Sequence, residues 1–424
     1  MKRSRKRSRV AAAALVPEIA IGLTALPADA APPPTDLVSQ WETSHPGCDI
    51  SGDGGLSALL PPEAGQPTRS IWLRGDTGMI PLPCSGQAGA WGTPAAISVN
   101  GAAGDVPVVS ELPAAGQNGL PGTPIGALPN GTRPVTRFLP RPTGLVRGDT
   151  GAACPEIHRI EWPQGVTRGP AGAMTLYYDG TPVQVADASK LMFISYAERC
   201  QIDLNHSWTE RIGMVAWNPA TNSIVAHWTV WDGLTDDDPS SVEVKWHQGL
   251  GSLTFRGGYL YVVVSNCAIS WPGWCPGTDP GDKTVLRRVP QADIHDKTKY
   301  KFWNATPAHW TGDYTQASTI LPGEPGAGPY TPPQMCDFSA SGDGYVIFET
   351  IAEWGEYRIW QSSHPEGPWT LSRDRTIPPE TVLNVSRTRT PGCHPELSTP
   401  SNLIYSFFDS ADEEINVVSV GSLP

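Results

Sequence analysis

Charge is scarce in this chain, and positive charge is the scarcer kind. Only 17% of the 424 residues are Asp, Glu, Lys or Arg, and the net charge is −12. The totals are 30 basic and 42 acidic residues. Removing the six basic and two acidic residues of the first 30 leaves 24 against 40. No basic block follows Arg9. A surface of this sign repels phosphate backbones and anionic lipid, so neither nucleic acid nor membrane insertion is expected. No apolar run beyond the N-terminus approaches the ~18 residues a membrane span needs. Several catalytic signatures are missing too: the GxSxG nucleophile elbow, the HExxH zinc helix and the GxxxxGK[ST] phosphate loop. These absences weigh against a common serine esterase, a zincin and a nucleotide enzyme. No cofactor is required and no metal-ligand spacing stands out, so both are expected to be none.

What the chain has in plenty is glycine and proline, 44 of each, with 16 tryptophans. About a fifth of the residues being Gly or Pro excludes a helix bundle or coiled coil. The basic stretch Lys2–Arg9, an apolar stretch from Val10 to Leu26 and the small-x-small triplet Ala28-Asp29-Ala30 read as an export signal over residues 1–30. A secreted, extracellular or cell-wall-associated protein follows. Eight cysteines, an even number with no CxxC pair, agree with an oxidising compartment and make zinc ligation a poor reading. Cys267 and Cys275 bracket a Pro/Gly-rich loop and are expected to bridge each other.

Residues 31–47 read as a Pro-rich linker, and 48–424 as a single domain. Within that domain short runs rich in Val, Ile, Tyr, Phe and Trp alternate with turn residues: 70–74, 191–196, 213–217, 224–230, 259–265, 345–350, 357–361, 403–408 and 415–420. Asn218-Pro-Ala-Thr-Asn222 joins two of them into a hairpin. Helical periodicity is absent. Many short hairpin-linked strands over this length indicate an all-β fold, and the spacing favours a five-bladed β-propeller of four-stranded blades with long Gly/Pro-rich loop insertions. The final strand, 415–420, is expected to close the ring beside an N-terminal strand. Residues 85–150 read as decorated loops, and 268–283 as a second insertion.

Carboxylates and tryptophans are the chemistry that remains. Glycosidic cleavage commonly uses two facing Asp/Glu side chains, and a propeller funnel gathers residues from distant blades. Tryptophan faces stack on sugar rings, although most of the 16 serve core packing. Trp271 and Trp274, in the loop insertion, are the better candidates for substrate contact. Asp53 and Asp76 each sit beside glycine at a strand end, as catalytic carboxylates or as turn caps. Glu396 in His394-Pro-Glu-Leu-Ser398 is either a general acid in the funnel or a hydrogen-bonded tie between the last blade and the first. Glu156 and Glu161 lie where a second-blade acid would fall, Asp337 starts a fourth- or fifth-blade strand, and His158 and His394 are candidates to orient a carboxylate or bind sugar hydroxyls.

The ordered set Asp53-Gly54…Ser57…Leu60-Pro61…Trp72-Leu-Arg-Gly-Asp-Thr77, Trp162-Pro-Gln-Gly165, Leu286-Arg-Arg-Val-Pro290 with Phe302-Trp303, Gly367-Pro-Trp369 and His394-Pro-Glu-Leu-Ser398 resembles a family of secreted bacterial five-bladed propellers. That family was long catalogued as a domain of unknown function (4185 type). Part of it is classed among endo-D-arabinanases, glycoside hydrolase family 183, which cut the D-arabinan of mycobacterial-type arabinogalactan. The resemblance implies a monomeric hydrolase of an arabinan-like polysaccharide, with Asp53 and Asp76 as active-site carboxylates and Trp162 near substrate. The chain departs from the family pattern at Arg74, where a hydrophobic residue is usual, and at Gly165, where relatives often carry Asp. The alternatives are a non-catalytic carbohydrate-binding propeller and a cell-surface scaffold for protein partners.

Overall fold

The computed structural model describes residues 36–41, 49–52, 55–73, 77–80, 95–100, 109–111, 115–117, 138–139, 144–145, 151–156, 159–203, 206–232, 251–266, 283–321, 333–338, 344–351, 356–376, 388–399, 402–409 and 414–419. Among them there is no α-helix, only single 3₁₀ turns such as Ala188–Lys190. Strands β1 (Asp36–Trp41) and β2 (Asp49–Gly52) open the chain. The next sheet contains β3 (Leu56–Leu59), β4 (Arg69–Leu73), β6 (Ala95–Val99) and β7 (Val109–Glu111), while β5 (Thr77–Ile80) leaves it to pair with β2. A six-stranded sheet follows: β8 (Arg159–Arg168), β9 (Met174–Tyr178), β10 (Thr181–Val185), β11 (Met192–Asp203), β12 (His206–Asn218) and β13 (Ser223–Trp231). Five strands form the third: β14 (Leu253–Arg256), β15 (Tyr259–Asn266), β16 (Lys283–Pro290), β17 (Lys301–Ala305) and β18 (Ala308–Thr311). The fourth is β19 (Gln334–Asp337), β20 (Tyr345–Ile351), β21 (Glu356–Ser362) and β22 (Thr370–Thr376). The last joins β23 (Thr388–Cys393), β24 (Ile404–Asp409) and β25 (Glu414–Ser419) to β1.

These sheets stand in a β-propeller arrangement. The leading strand of each lies against that of the next: β3 on β8, β8 on β14, β14 on β19, β19 on β23, and β23 back on β3. The sheets are unequal, with three of four strands, one of five, one of six and the two-stranded β2–β5 pair, rather than uniformly four-stranded. Two expectations are corrected. Residues 36–41 belong to a sheet and not to a linker, because β1 pairs with β25 in antiparallel register and covers that sheet's edge. Within 85–150, β6 and β7 are strands, completing the β3–β4 sheet by pairing 95–99 with 69–73. Their Ala, Ser and Val content gives a weak strand signal that a ready neighbour overrides.

Burial follows the pleat. In β13 the even positions from Ile224 to Val230 are buried and the odd ones half-buried. Apolar faces fill the seams: Leu56, Ile71 and Leu73 against Ile194 and Val215, then Ala216 and Trp228 against Leu253 and Val262. Two more seams are filled by Val263 and Leu286 against Ile347, and by Phe348 against Tyr405. Cys154–Cys200 and Cys336–Cys393 are disulfides, the second joining β19 to β23. Cys267 and Cys275 lie outside the described residues.

The leading strands approach backbone to backbone. A Cβ on Gly165 of β8 would stand 2.1 Å from the Gly251 carbonyl oxygen and 3.0 Å from Leu253 Cγ. Glycine at 165 is therefore a packing requirement here, and an aspartate does not fit. Gly165→Ala is expected to cost about 2–3 kcal/mol of stability by overpacking the seam. Urea unfolding measures this, and an unchanged midpoint would show that the strands separate without cost.

Candidate functional site

A buried polar cluster lies on the face of the six-stranded sheet that carries Tyr196 toward the β3–β4 sheet. Glu161 on β8 and Glu198 on β11 are direct cross-strand partners, and Glu198 is in turn opposite Arg211 on β12. Like charges placed opposite each other repel. The pair survives because each glutamate has a cation: Arg211 Nη1 is 3.1 Å from Glu198 Oε2, and His227 Nε2 is 3.5 Å from Glu161 Oε1. Tyr196, two residues before Glu198, brings its hydroxyl to 2.8 Å from His227 Nε2. That hydroxyl fits because its cross-strand partner is Gly213, where a Cβ would stand 2.4 Å from it. Outward, His227 Nδ1 is 3.0 Å from Oδ1 of Asp179, which is 69% exposed.

The contacts of His227 suit its charged form. Nε2 lies between the Tyr196 hydroxyl, which also reaches the Trp228 carbonyl at 3.3 Å, and Glu161, while Nδ1 faces Asp179. An imidazolium donates from both nitrogens and so serves a carboxylate on each side. Burial alone would lower the His227 pKa. The hydrogen bond and charge of Glu161, then Asp179 and Glu198, override it and push it up to about 9. Burial raises Glu161, and burial together with the Glu161 charge pushes Glu198 up to about 7. One ligand atom each from Glu161, Glu198 and His227 lie within 4.8 Å of one another, close enough to share a cation. Arg211 and the charged His227 already balance the two glutamates.

The sequence candidates fall in three places. Asp53, Asp76, Trp271, Trp274, His158 and Arg74 lie outside the described residues. Next to the two aspartates, however, β2 and β5 pair in a register that sets Gly52 opposite Thr77. Trp162 is half-buried on the face of β8 opposite to Glu161, where the Arg199 guanidinium stands 4.7 Å from its ring centre. Glu156 is exposed, and Asp337 stands 3.9 Å from Arg256. His394 and Glu396 are sealed between the β23–β24 and β3–β4 strands, their side chains 0% and 2% exposed. Ser57 of β3 donates to Glu396 Oε1 there.

Of the buried cluster, sequence reasoning singled out only Glu161. Glu198, Arg211 and His227 were missed. Their signal is a charge at a position whose neighbours two residues away are buried, as in Tyr196-Ala-Glu198, but that pattern does not distinguish a paired interior charge from an exposed strand face.

No protein-family model matches the sequence, and no curated protein does. Solved structures do match. A thermostable family-43 glycoside hydrolase is 9% identical over 88% of this chain and 95% of its own, with a TM-score of 0.37. An exo-beta-1,3-galactanase from Phanerochaete chrysosporium is 9% identical over 89% and 66%, with a TM-score of 0.40. An alpha-L-arabinofuranosidase from Fusarium graminearum is 9% identical over 87% and 77%, with a TM-score of 0.37. Likeness at this level carries no argument about chemistry.

His227 makes a testable contribution. Its pKa is raised above the unfolded value near 6.5, so its stabilisation is full below pH 6.5 and is lost as pH rises through about 9. Relative to His227→Gln, the wild-type unfolding constant is expected to rise about tenfold per pH unit across that window. Chemical denaturation of both chains at a series of pH values measures it, and a pH-independent difference would mean that His227 is neutral.

Proposed function

We propose that this chain is a secreted glycoside hydrolase built on its β-propeller. Its substrate would be an arabinan-like furanoside polysaccharide such as the D-arabinan of mycobacterial-type arabinogalactan. The observation that carries this reading is the register of β2 and β5. Gly52 and Thr77 are direct partners, and they are the chain neighbours of Asp53 and Asp76, the proposed carboxylates. Glycosidic cleavage commonly uses two facing carboxyl groups, which is the pair this reading assigns.

In this reading one aspartic acid protonates the leaving oxygen, while the other aspartate acts as the nucleophile on the anomeric carbon or as the base that activates water. Glu198 has the proton affinity of a general acid, but at 1% exposure it is shut away from a polymer chain. Its part, with Glu161, Arg211 and His227, is to hold the second blade's polar interior together. The N-terminal export pattern and two disulfides support passage through an oxidising compartment.

The test is oligosaccharide release from purified D-arabinan and arabinogalactan by the chain beginning at Ala31, beside its Asp76→Asn variant. The parent is expected to release oligosaccharides, and the folded variant to lose at least about a hundredfold in rate with binding largely kept. No release by a folded parent would overturn hydrolysis of this substrate and leave carbohydrate binding as the reading to pursue.

A further inference from the structure

Four seams between neighbouring sheets are filled by apolar side chains. The fifth, which closes the ring, has a buried polar ladder at its centre. His394 follows β23 directly. Its Nδ1 is 2.5 Å from Ser57 Oγ on β3, and its Nε2 is 2.8 Å from Ser406 Oγ on β24. The Ser406 hydroxyl donates to the Gly55 carbonyl at 3.1 Å. Ser57 also bonds Glu396 Oε1, and the Trp72 ring lies 4.6 Å from the imidazole, centre to centre. Gly392 lets the strands meet, since a Cβ there would stand 2.6 Å from the Gly55 oxygen and 2.8 Å from Ser406 Oγ.

We propose that this seam is a proton-locked latch, in which the ring closes around one proton held between His394 and Glu396 through the Ser57 hydroxyl. The lock rests on hydrogen positions in the fold, independently of any reaction. Ser406 Oγ reaches both the Gly55 carbonyl and His394 Nε2; in the tautomer that places its single hydrogen on the carbonyl, Nε2 donates to Ser406. The other nitrogen, Nδ1, then faces Ser57, whose hydroxyl touches both it and the Glu396 carboxyl. With one further proton every contact is satisfied, in either of two arrangements. A protonated Glu396 donates to Ser57, which donates to Nδ1. Alternatively, Nδ1–H donates to Ser57, which donates to the carboxylate. Without that proton, the Ser57 hydrogen is shared between Nδ1 and Glu396 Oε1, while the buried Glu396 Oε2 has no hydrogen-bond partner.

Among the described residues the groups facing this pair are the hydroxyls of Ser57, Ser70 and Ser406, the Trp72 ring and the Gly55 carbonyl, none of them charged. A bare carboxylate there is offset by hydroxyl hydrogens and the backbone N–H of Glu396, with no cation among the described residues beside it but the His394 ring. The proton affinities agree: burial pushes Glu396 up to about 7 against the pull of Ser57 and Ser70, and burial brings His394 down to about 3. Between those limits the closed seam keeps one proton.

Glu396→Gln tests the latch, because its amide donates to Ser57 as the protonated acid does but cannot lose the hydrogen. The full-length chain and this variant are unfolded in urea over a pH series, and the ratio of their unfolding constants cancels every other titrating group. Glu396 has a raised folded-state pKa, so its contribution is complete below about 4.5 and is lost as pH rises through about 7. The wild-type constant, relative to the variant, is expected to rise about tenfold per pH unit across that window and to level off above it. A ratio independent of pH would overturn the latch by showing that the closed seam holds no extra proton. A Glu396→Gln chain that does not fold would overturn it equally, since the amide supplies the donor the latch requires.

Discussion

A ring of sheets has no open edge only where its two ends meet, and every other feature of this molecule follows from that closure. Strand β1, from the N-terminal side, pairs with β25 near the C-terminus, so one sheet is built from both ends of the chain. That sheet's leading strand, β23, must then reach β3. Strand β23 carries Gly392 against the Gly55 carbonyl, and β8 carries Gly165 against the Gly251 carbonyl. Leading strands this close leave room for backbone alone at such points. The departure from the resembled family at Gly165 is thus explained by packing and says nothing in itself about catalysis.

Two buried polar clusters are neutralised in different ways. Burying a charge is costly unless it is paired, and removing one partner of such a pair is costlier still. In the six-stranded sheet, Glu161 and Glu198 are matched by His227 and Arg211 across adjacent strands. In the closing seam no cation is available among the described residues, and neutrality comes instead from a retained proton. Both solutions use register: a strand slipped by one residue would turn each polar group to the other face and leave it unpaired.

Much of the fold was legible from residue pattern. Runs of β-branched and aromatic residues coincide with β4, β11, β13, β15, β20, β21, β24 and β25, and Asn218–Asn222 forms the turn between β12 and β13. Strands β1, β6 and β7 were not read, because their residues have middling strand propensity and become strands by completing a neighbour's ladder. The candidate site was less legible. Glu161 stood out as an acid where a second-blade carboxylate would fall. Glu198, Arg211 and His227 are separated from it by tens of residues, and only pairing across β8, β11, β12 and β13 brings them together.

The sequence by itself determined the class of the molecule: all-β, acidic, turn-rich and without helical periodicity. Those properties are set by composition and by alternation along single strands, which are local. Tertiary structure alone decided which strands are neighbours, which glycines are compulsory and which carboxyls keep their protons. Each of these depends on what lies across a seam, and a residue's burial and charge partners are properties of the assembled ring rather than of the chain around it. His394 and Glu396 are the plainest case. Two residues apart in a short turn, they could have faced a funnel or a seam, and only the arrival of Ser57 from the other end of the ring makes them part of its closure.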